Sequence, residues 1–255
     1  KENEKTTKFN YSLSPCSDPE AYEAQDTSKI DEFLKNISER VTVFLCGASF
    51  STALTLKILK PLHDRGVSID IVYFTPELRS LSGDRKLHER AVRNILQQYA
   101  RSAVFEKITI VSNRILEEIS SNANVYEYYN QINEVFTNSY YMLDVFKNTK
   151  PVNSTFLPRG KTARISTIGF ATFDEADLLF YPLDNETEIV YYFGINEKKL
   201  KTEKNLFRKI RDKVEEKIQQ NIHTSFGIYS TEYEEDYIYV EYFSSKIQQI
   251  SVDTI

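Results

Sequence analysis

Residues 41–58, Val-Thr-Val-Phe-Leu-Cys-Gly-Ala-Ser-Phe-Ser-Thr-Ala-Leu-Thr-Leu-Lys-Ile, constrain the chain more than any other stretch: an apolar run stops at Gly47, and apolar residues then resume at helical spacing. This reads as strand, tight loop, helix. In a parallel-sheet unit of this kind the loop lies at the C-terminal end of the strand, where unpaired helix N–H groups and the helix dipole favour an anion. Gly47, Ser49, Ser51 and Thr52 are therefore candidate phosphate ligands. In an ordinary connection the same Ser49, Ser51 and Thr52 would act as helix caps. Cys46 is expected at the buried end of the strand.

The chain has 255 residues, enough for one large domain or two small ones. Its net charge of −5, with basic residues dispersed, gives no stripe to match a phosphate backbone, so nucleic acid is not an expected partner. No run approaches the roughly 18–20 apolar residues a bilayer span requires, and the charged N-terminal stretch is unlike a secretory signal. A membrane is not an expected partner either. Cys16 and Cys46 have no metal-ligand spacing and suit a reducing, cytoplasmic setting. His63, His88 and His223 fall on three different elements, at expected surface or helix-end positions, so no metal site is expected.

Residues 1–27 are polar, broken by Pro15 and Pro19, and read as a loosely packed arm. Residues 28–39 place Ile30, Phe33, Leu34 and Ile37 on one helical face. Strand 41–46, helix 51–64 ended by Gly66, and strand 67–74 make a right-handed parallel crossover. Helix 86–102 presents Leu87, Ala91, Ile95 and Tyr99, and strand 105–111 follows. The most regular helix spans about 125–147, with Tyr129, Ile132, Phe136, Tyr140, Leu143 and Phe146 three and four apart. At about 1.5 Å per residue it would exceed roughly 30 Å. Pro151, Pro158 and Gly160 mark a boundary. Beyond it come strands 162–171 and 188–195, a helix over 203–220 carrying Leu206, Ile210, Val214 and Ile218, and strands 223–230 and 236–244 as a hairpin. The fold class is α/β: an arm (1–27), a parallel-sheet nucleotide-binding-like domain (28–124), a long central helix (125–148) and a smaller α+β domain (149–255). Strand alternation prevents Tyr191, Tyr192, Phe193, Tyr229, Tyr237, Tyr239, Tyr242 and Phe243 from all facing one core. Most read as packing under the 203–220 helix, and those left outside are candidates for a protein interface.

This order of elements resembles the tubulin/FtsZ superfamily over roughly residues 28–250. Where that family has a glycine-rich phosphate loop, the chain has Cys46-Gly47-Ala48-Ser49-Phe50-Ser51-Thr52. Asn113, in Val111-Ser-Asn-Arg, stands where the family has an Asn facing guanine. Tyr129 and Asn133 stand where a base-stacking aromatic and a base-reading Asn or Asp sit on the central helix, and Arg85 in Gly83-Asp-Arg85 resembles a sugar-side arginine. The resemblance implies GTP or GDP as cofactor if the site works. The departures imply a degenerate member. Glycines that would let the backbone approach phosphate are replaced, with Phe50 expected to crowd it. The family's first phosphate loop would precede Val41, where only about 40 residues stand, so that half of the pocket is expected to be absent or rebuilt. The loop 149–160, where the family carries a catalytic acid, has no Asp or Glu. No catalytic residue is assigned, and no cofactor is expected to be needed. The expected function is a non-catalytic assembly or interaction protein with protein partners, a homo-oligomer or larger complex. The alternatives are a guanine-nucleotide-dependent filament GTPase with a rebuilt phosphate loop, and a sugar-phosphate-binding SIS-like domain whose ligands would be the Ser49, Ser51 and Thr52 hydroxyls.

Overall fold

The computed structural model describes residues 11–120 and 124–249. In chain order its elements are α1 (Pro19–Glu23), α2 (Ile30–Leu34), β1 (Arg40–Cys46), α3 (Thr55–Asp64), β2 (Ser68–Thr75), α4 (Gly83–Arg101), β3 (Lys107–Ser112), α5 (Asn113–Ile119), α6 (Tyr128–Lys147) and β4 (Asn153–Ser154). They continue with β5 (Ile165–Ala171), β6 (Leu178–Leu179), β7 (Glu186–Asn196), α7 (Glu197–Thr202), α8 (Leu206–Ile218), β8 (His223–Thr231) and β9 (Tyr237–Ser244). A 3-10 turn, Phe50–Leu54, precedes α3.

The strands β1, β2 and β3 are parallel, as two helical crossovers require. They do not form a sheet of their own. The strand order is β1-β2-β3-β5-β9-β7-β8-β4, with β6 on β5, so both halves of the chain share one sheet. The two halves meet at β3 and β5, through the pairs Ile108↔Ile165 and Thr109↔Ser166. The expected hairpin of the last two strands is also replaced. β7 lies between β8, to which it is parallel, and β9, to which it is antiparallel. β7 is apolar on both faces, and a strand covered on both faces belongs in the interior of a sheet.

One face of the sheet carries α8. Leu206, Ile210 and Val214 pack there with Ile189, Tyr191, Phe193, Phe226, Val240 and Tyr242. The other face carries α6, whose Ile132, Phe136, Leu143 and Phe146 form the expected apolar stripe. Phe136 meets Phe74 of β2 at 4.8 Å, and Phe146 meets Tyr229 of β8 at 4.6 Å, so one helix spans both halves of the sheet. The C-terminal aromatics are thereby consumed as core on two faces. Tyr191, Tyr192, Phe193, Tyr229, Tyr242 and Phe243 are all buried, which removes most of the proposed aromatic interface.

Several local expectations change as well. The described part of the arm is tied down: α1 packs on the 3-10 turn, and the Lys57 ammonium donates to the carbonyls of Glu23 and Gln25. The expected 203–220 helix is α8, Leu206–Ile218, and a short separate helix, α7, precedes it over Glu197–Thr202. Cys46 is exposed at the end of β1, which is the outermost strand among the described residues. On α4 the apolar positions Leu87, Ile95 and Tyr99 face outward, Leu87 at 69% exposure, while Glu89, Arg93, Leu96, Gln97 and Ala100 are buried. Part of that inner polar stripe is met by the chain itself. Gln97 and Gln248 exchange amide hydrogen bonds at 2.7 and 3.2 Å, and Arg93 reaches the Tyr181 hydroxyl at 3.5 Å.

At the end of α6 the buried Glu241 of β9 receives the ammoniums of Lys107, at the start of β3, and Lys147, the latter at 2.7 Å. Burial pushes the Glu241 carboxyl up, but Lys107 and Lys147 outweigh it and hold it well below the ordinary carboxylate range. A lowered carboxyl stabilises the fold above the ordinary carboxylate range, and that share is lost as the pH falls into strong acid. Glu241→Ala strands two ammoniums and is expected to cost about 3–5 kcal/mol in urea denaturation at neutral pH. Lys147→Met, which removes the more open of the two, is expected to cost less.

Candidate functional site

The loop after β1 is shaped by what approaches it from inside. The Gly47 N–H donates to the Phe74 carbonyl at 2.8 Å, and a Cβ on Gly47 would lie 2.5 Å from Glu89 Oε2 and 2.8 Å from that carbonyl. Only glycine fits. Ala48 then turns into the left-handed region at φ 56°, which costs a non-glycine residue about 1–2 kcal/mol. Its N–H points to Glu89 Oε2 at 2.8 Å, and the same oxygen accepts from the Tyr73 hydroxyl at 2.5 Å. The loop's backbone donor thus already holds an anionic group, supplied by α4.

Other side chains of α4 complete the hold. Arg85 donates to the Ala48 carbonyl at 3.1 Å, and its guanidinium stacks over the Phe50 ring at 4.7 Å. His88 was expected at a surface or helix-end position; it is buried, with Nε2 2.9 Å from the Ser49 carbonyl and 3.0 Å from Thr52 Oγ1. A carbonyl accepts only, so Nε2 carries the proton. Its ring meets Phe50 edge-on at 5.5 Å. Phe50 is held against α4 by these two partners.

Of the candidate ligands, the structure brings Gly47, Ser49, Ser51, Thr52 and Arg85 together. The Ser49 and Ser51 hydroxyls pair with each other at 2.8 Å, and buried Thr52 donates back to the Ser49 carbonyl at 2.6 Å, closing the turn. Asn113 begins α5 after β3, exposed, with Ser112 and not Asn113 capping that helix. Tyr129 and Asn133 lie one turn apart on the exposed side of α6, Tyr129 at 77% exposure. These three share the C-terminal end of the strands with the loop, but no hydrogen bond among the described residues joins their side chains to it.

Glu89 is the site residue the sequence reading missed. Glu89, Arg93 and Gln97 recur every four residues, which ordinarily marks a solvated helix face. Glu89 Oε1 and Arg93 Nε are buried without hydrogen bonds, 4.0 Å apart, beside a cavity of about 110 Å³ lined by Thr75, Ser112 and Arg114. Burial pushes the Glu89 carboxyl above its ordinary range, against the pull of Tyr73 and Arg93.

No family model matches the sequence, and no curated protein is significantly similar to it. Solved structures do match. The chain is similar to the empty FtsZ dimer of M. jannaschii, with a TM-score of 0.62 at 14% identity, covering 89% of this chain and 70% of that one. It is similar to a GTPγS-form protofilament of TubZ from Bacillus thuringiensis serovar israelensis, TM-score 0.61 at 12% identity, covering 94% and 74%. A four-stranded TubZ-Bt filament matches with a TM-score of 0.66 at 13% identity, covering 92% and 72%. The fold is tubulin/FtsZ-like. Within that fold the chain keeps the sheet, its crossovers and the long helix, at an identity that shows the architecture alone.

Two outcomes test the loop. Gly47→Ala is expected to destabilise the protein by about 1–3 kcal/mol, because it must displace a buried carboxylate and a backbone carbonyl. A raised carboxyl pKa gives stability that is full below the unfolded value near 4.5 and lost as pH rises through the folded value. Urea midpoints of the parent protein should therefore fall with rising pH over that window relative to Glu89→Gln, which cannot ionise.

Proposed function

We infer that this chain is a tubulin/FtsZ-like assembly or interaction subunit without GTPase chemistry of its own. One observation carries the reading: the backbone where a phosphate would approach is occupied from within by Glu89, Arg85 and His88. A bound phosphate would have to displace a buried carboxylate or lie against it. Arg85, the candidate sugar-side arginine, is spent on the Ala48 carbonyl and the Phe50 ring. The loop 149–160 has no acid to orient a water, and its middle straps the outer edge of β8 through Val152 and Thr155. Solved neighbours include a dimer, protofilaments and filaments, which favours self-association as the role left to the fold.

A second reading keeps support from Asn113, Tyr129 and Asn133, which are exposed: a guanine nucleotide held by its base in a filament protein with a rebuilt phosphate loop. Isothermal titration separates the two. The first reading expects no GTP or GDP binding tighter than about 100 μM, roughly −5.5 kcal/mol. It also expects light scattering that GTP and Mg²⁺ leave unchanged. Micromolar binding abolished by Asn133→Ala would establish the second reading instead.

A further inference from the structure

Arg93 is a buried cation with almost no partners. Its side chain is 5% exposed, and of its five N–H donors only one is used among the described residues, in the 3.5 Å bond to the Tyr181 hydroxyl. Its only ion pair there is with Glu89, at 4.0 Å. Glu89 answers it poorly. Oε2 of that carboxyl accepts from the Ala48 N–H and the Tyr73 hydroxyl, whereas Oε1, like Arg93 Nε, is buried without a hydrogen bond. Burial pushes the carboxyl up, and because Oε2 already accepts two donors, a bound proton sits on Oε1. A neutral Glu89 leaves the Arg93 charge buried and uncompensated, which is strongly unfavourable unless an anion meets it. The cavity of about 110 Å³ beside both residues supplies the room. Donors prevail on its wall. The Ser112 hydroxyl accepts from the Ile115 N–H, the Tyr181 hydroxyl accepts from Arg93, and neither hydroxyl proton has an acceptor among the described residues. Arg114 lines the cavity from the solvent side, its side chain 48% exposed and paired with Glu118. Glu77 is the one opposing charge on the wall, and its Oε1 turns to the Arg79 N–H of its own loop at 3.4 Å.

We propose that this cavity binds one tetrahedral oxyanion of the size and charge of phosphate, held by the Arg93 guanidinium and the Ser112 and Tyr181 hydroxyls, with Arg114 closing it on the solvent side. A dianion matches the two guanidiniums, and the planar fork of an arginine bonds two such oxygens at once. The volume suits a single oxyanion rather than a nucleotide. Glu89 divides this site from the loop after β1, with Oε2 given to Ala48 on one side and Oε1 left toward Arg93 on the other. The site is therefore distinct from Gly47, Ser49, Ser51 and Thr52, and it stands independently of the assembly reading.

Isothermal titration of the protein with inorganic phosphate, at an ionic strength held constant with chloride, tests the site. One anion per chain should bind with a dissociation constant below about 1 mM. Phosphate should also raise the thermal midpoint in a saturable way, as a ligand specific to the folded state does. Arg93→Met should abolish the binding heat. Should that buried substitution unfold the protein, Arg114→Gln carries the test from a half-exposed position: it should weaken binding about fivefold or more with the circular dichroism unchanged. Ser49→Ala should bind phosphate as the parent does. The absence of saturable heat over chloride overturns the site, and so does binding that Arg114→Gln leaves unchanged. Binding lost in Ser49→Ala overturns it too, and puts the anion on the loop after β1 that the functional reading holds closed.

Discussion

One buried carboxylate holds the architecture in register. An apolar stripe such as that of α6 fixes how deep a helix sits on a sheet, but dispersion and burial are indifferent to small sliding along it. Glu241 removes that freedom. It binds the last residue of α6 and the first of β3 at once, and it does so from β9, in the other half of the chain. Burial drives the Lys147 ammonium down to about 8, Lys107 adding to that effect and Glu241 opposing it. Lys147 keeps part of its side chain open, beside a cavity of about 440 Å³ lined by the loop after α6 and by β7, β8 and β9.

The same economy operates at the opposite end of the sheet. There the chain supplies a carboxylate, a guanidinium and an imidazole from a single helix, α4, and spends them on one turn of backbone. The result is a loop after β1 whose Ala48 N–H is already taken by the chain's own carboxyl group. A backbone amide committed to the chain's own side chain makes that turn rigid.

The sequence made legible those features that depend on local periodicity. The strand-loop-helix at 41–58, the parallel order of the first three strands and the apolar stripe from Ile132 to Phe146 follow from residue spacing alone, and their order was enough to suggest the superfamily architecture. What depended on distant partners was not legible. The 223–244 hairpin failed because β7, which precedes α7 and α8 in the chain, lies between the two strands and pairs with both. The inner face of α4 was misread because Glu89 Oε2 and the Gln97 amide find partners in Ala48 and Gln248, neither of which is near in sequence. The C-terminal aromatics looked surplus only while one covering helix was counted, and α6 takes the other half.

The join between the halves of the sheet sets how the molecule can deform. β1 and β2 share seven residue pairs, β5 and β9 share seven, and β7 and β8 share nine, but β3 and β5 share two. A hydroxyl bond between Thr109 and Ser166, at 2.9 Å, adds to that narrow seam. Bending stiffness in a sheet scales with the number of rungs that must shear together, so torque applied at one edge concentrates at this waist. Across this seam lies α6, packed on β2 at one side through Phe136 and on β8 at the other through Phe146, so the helix acts as its splint.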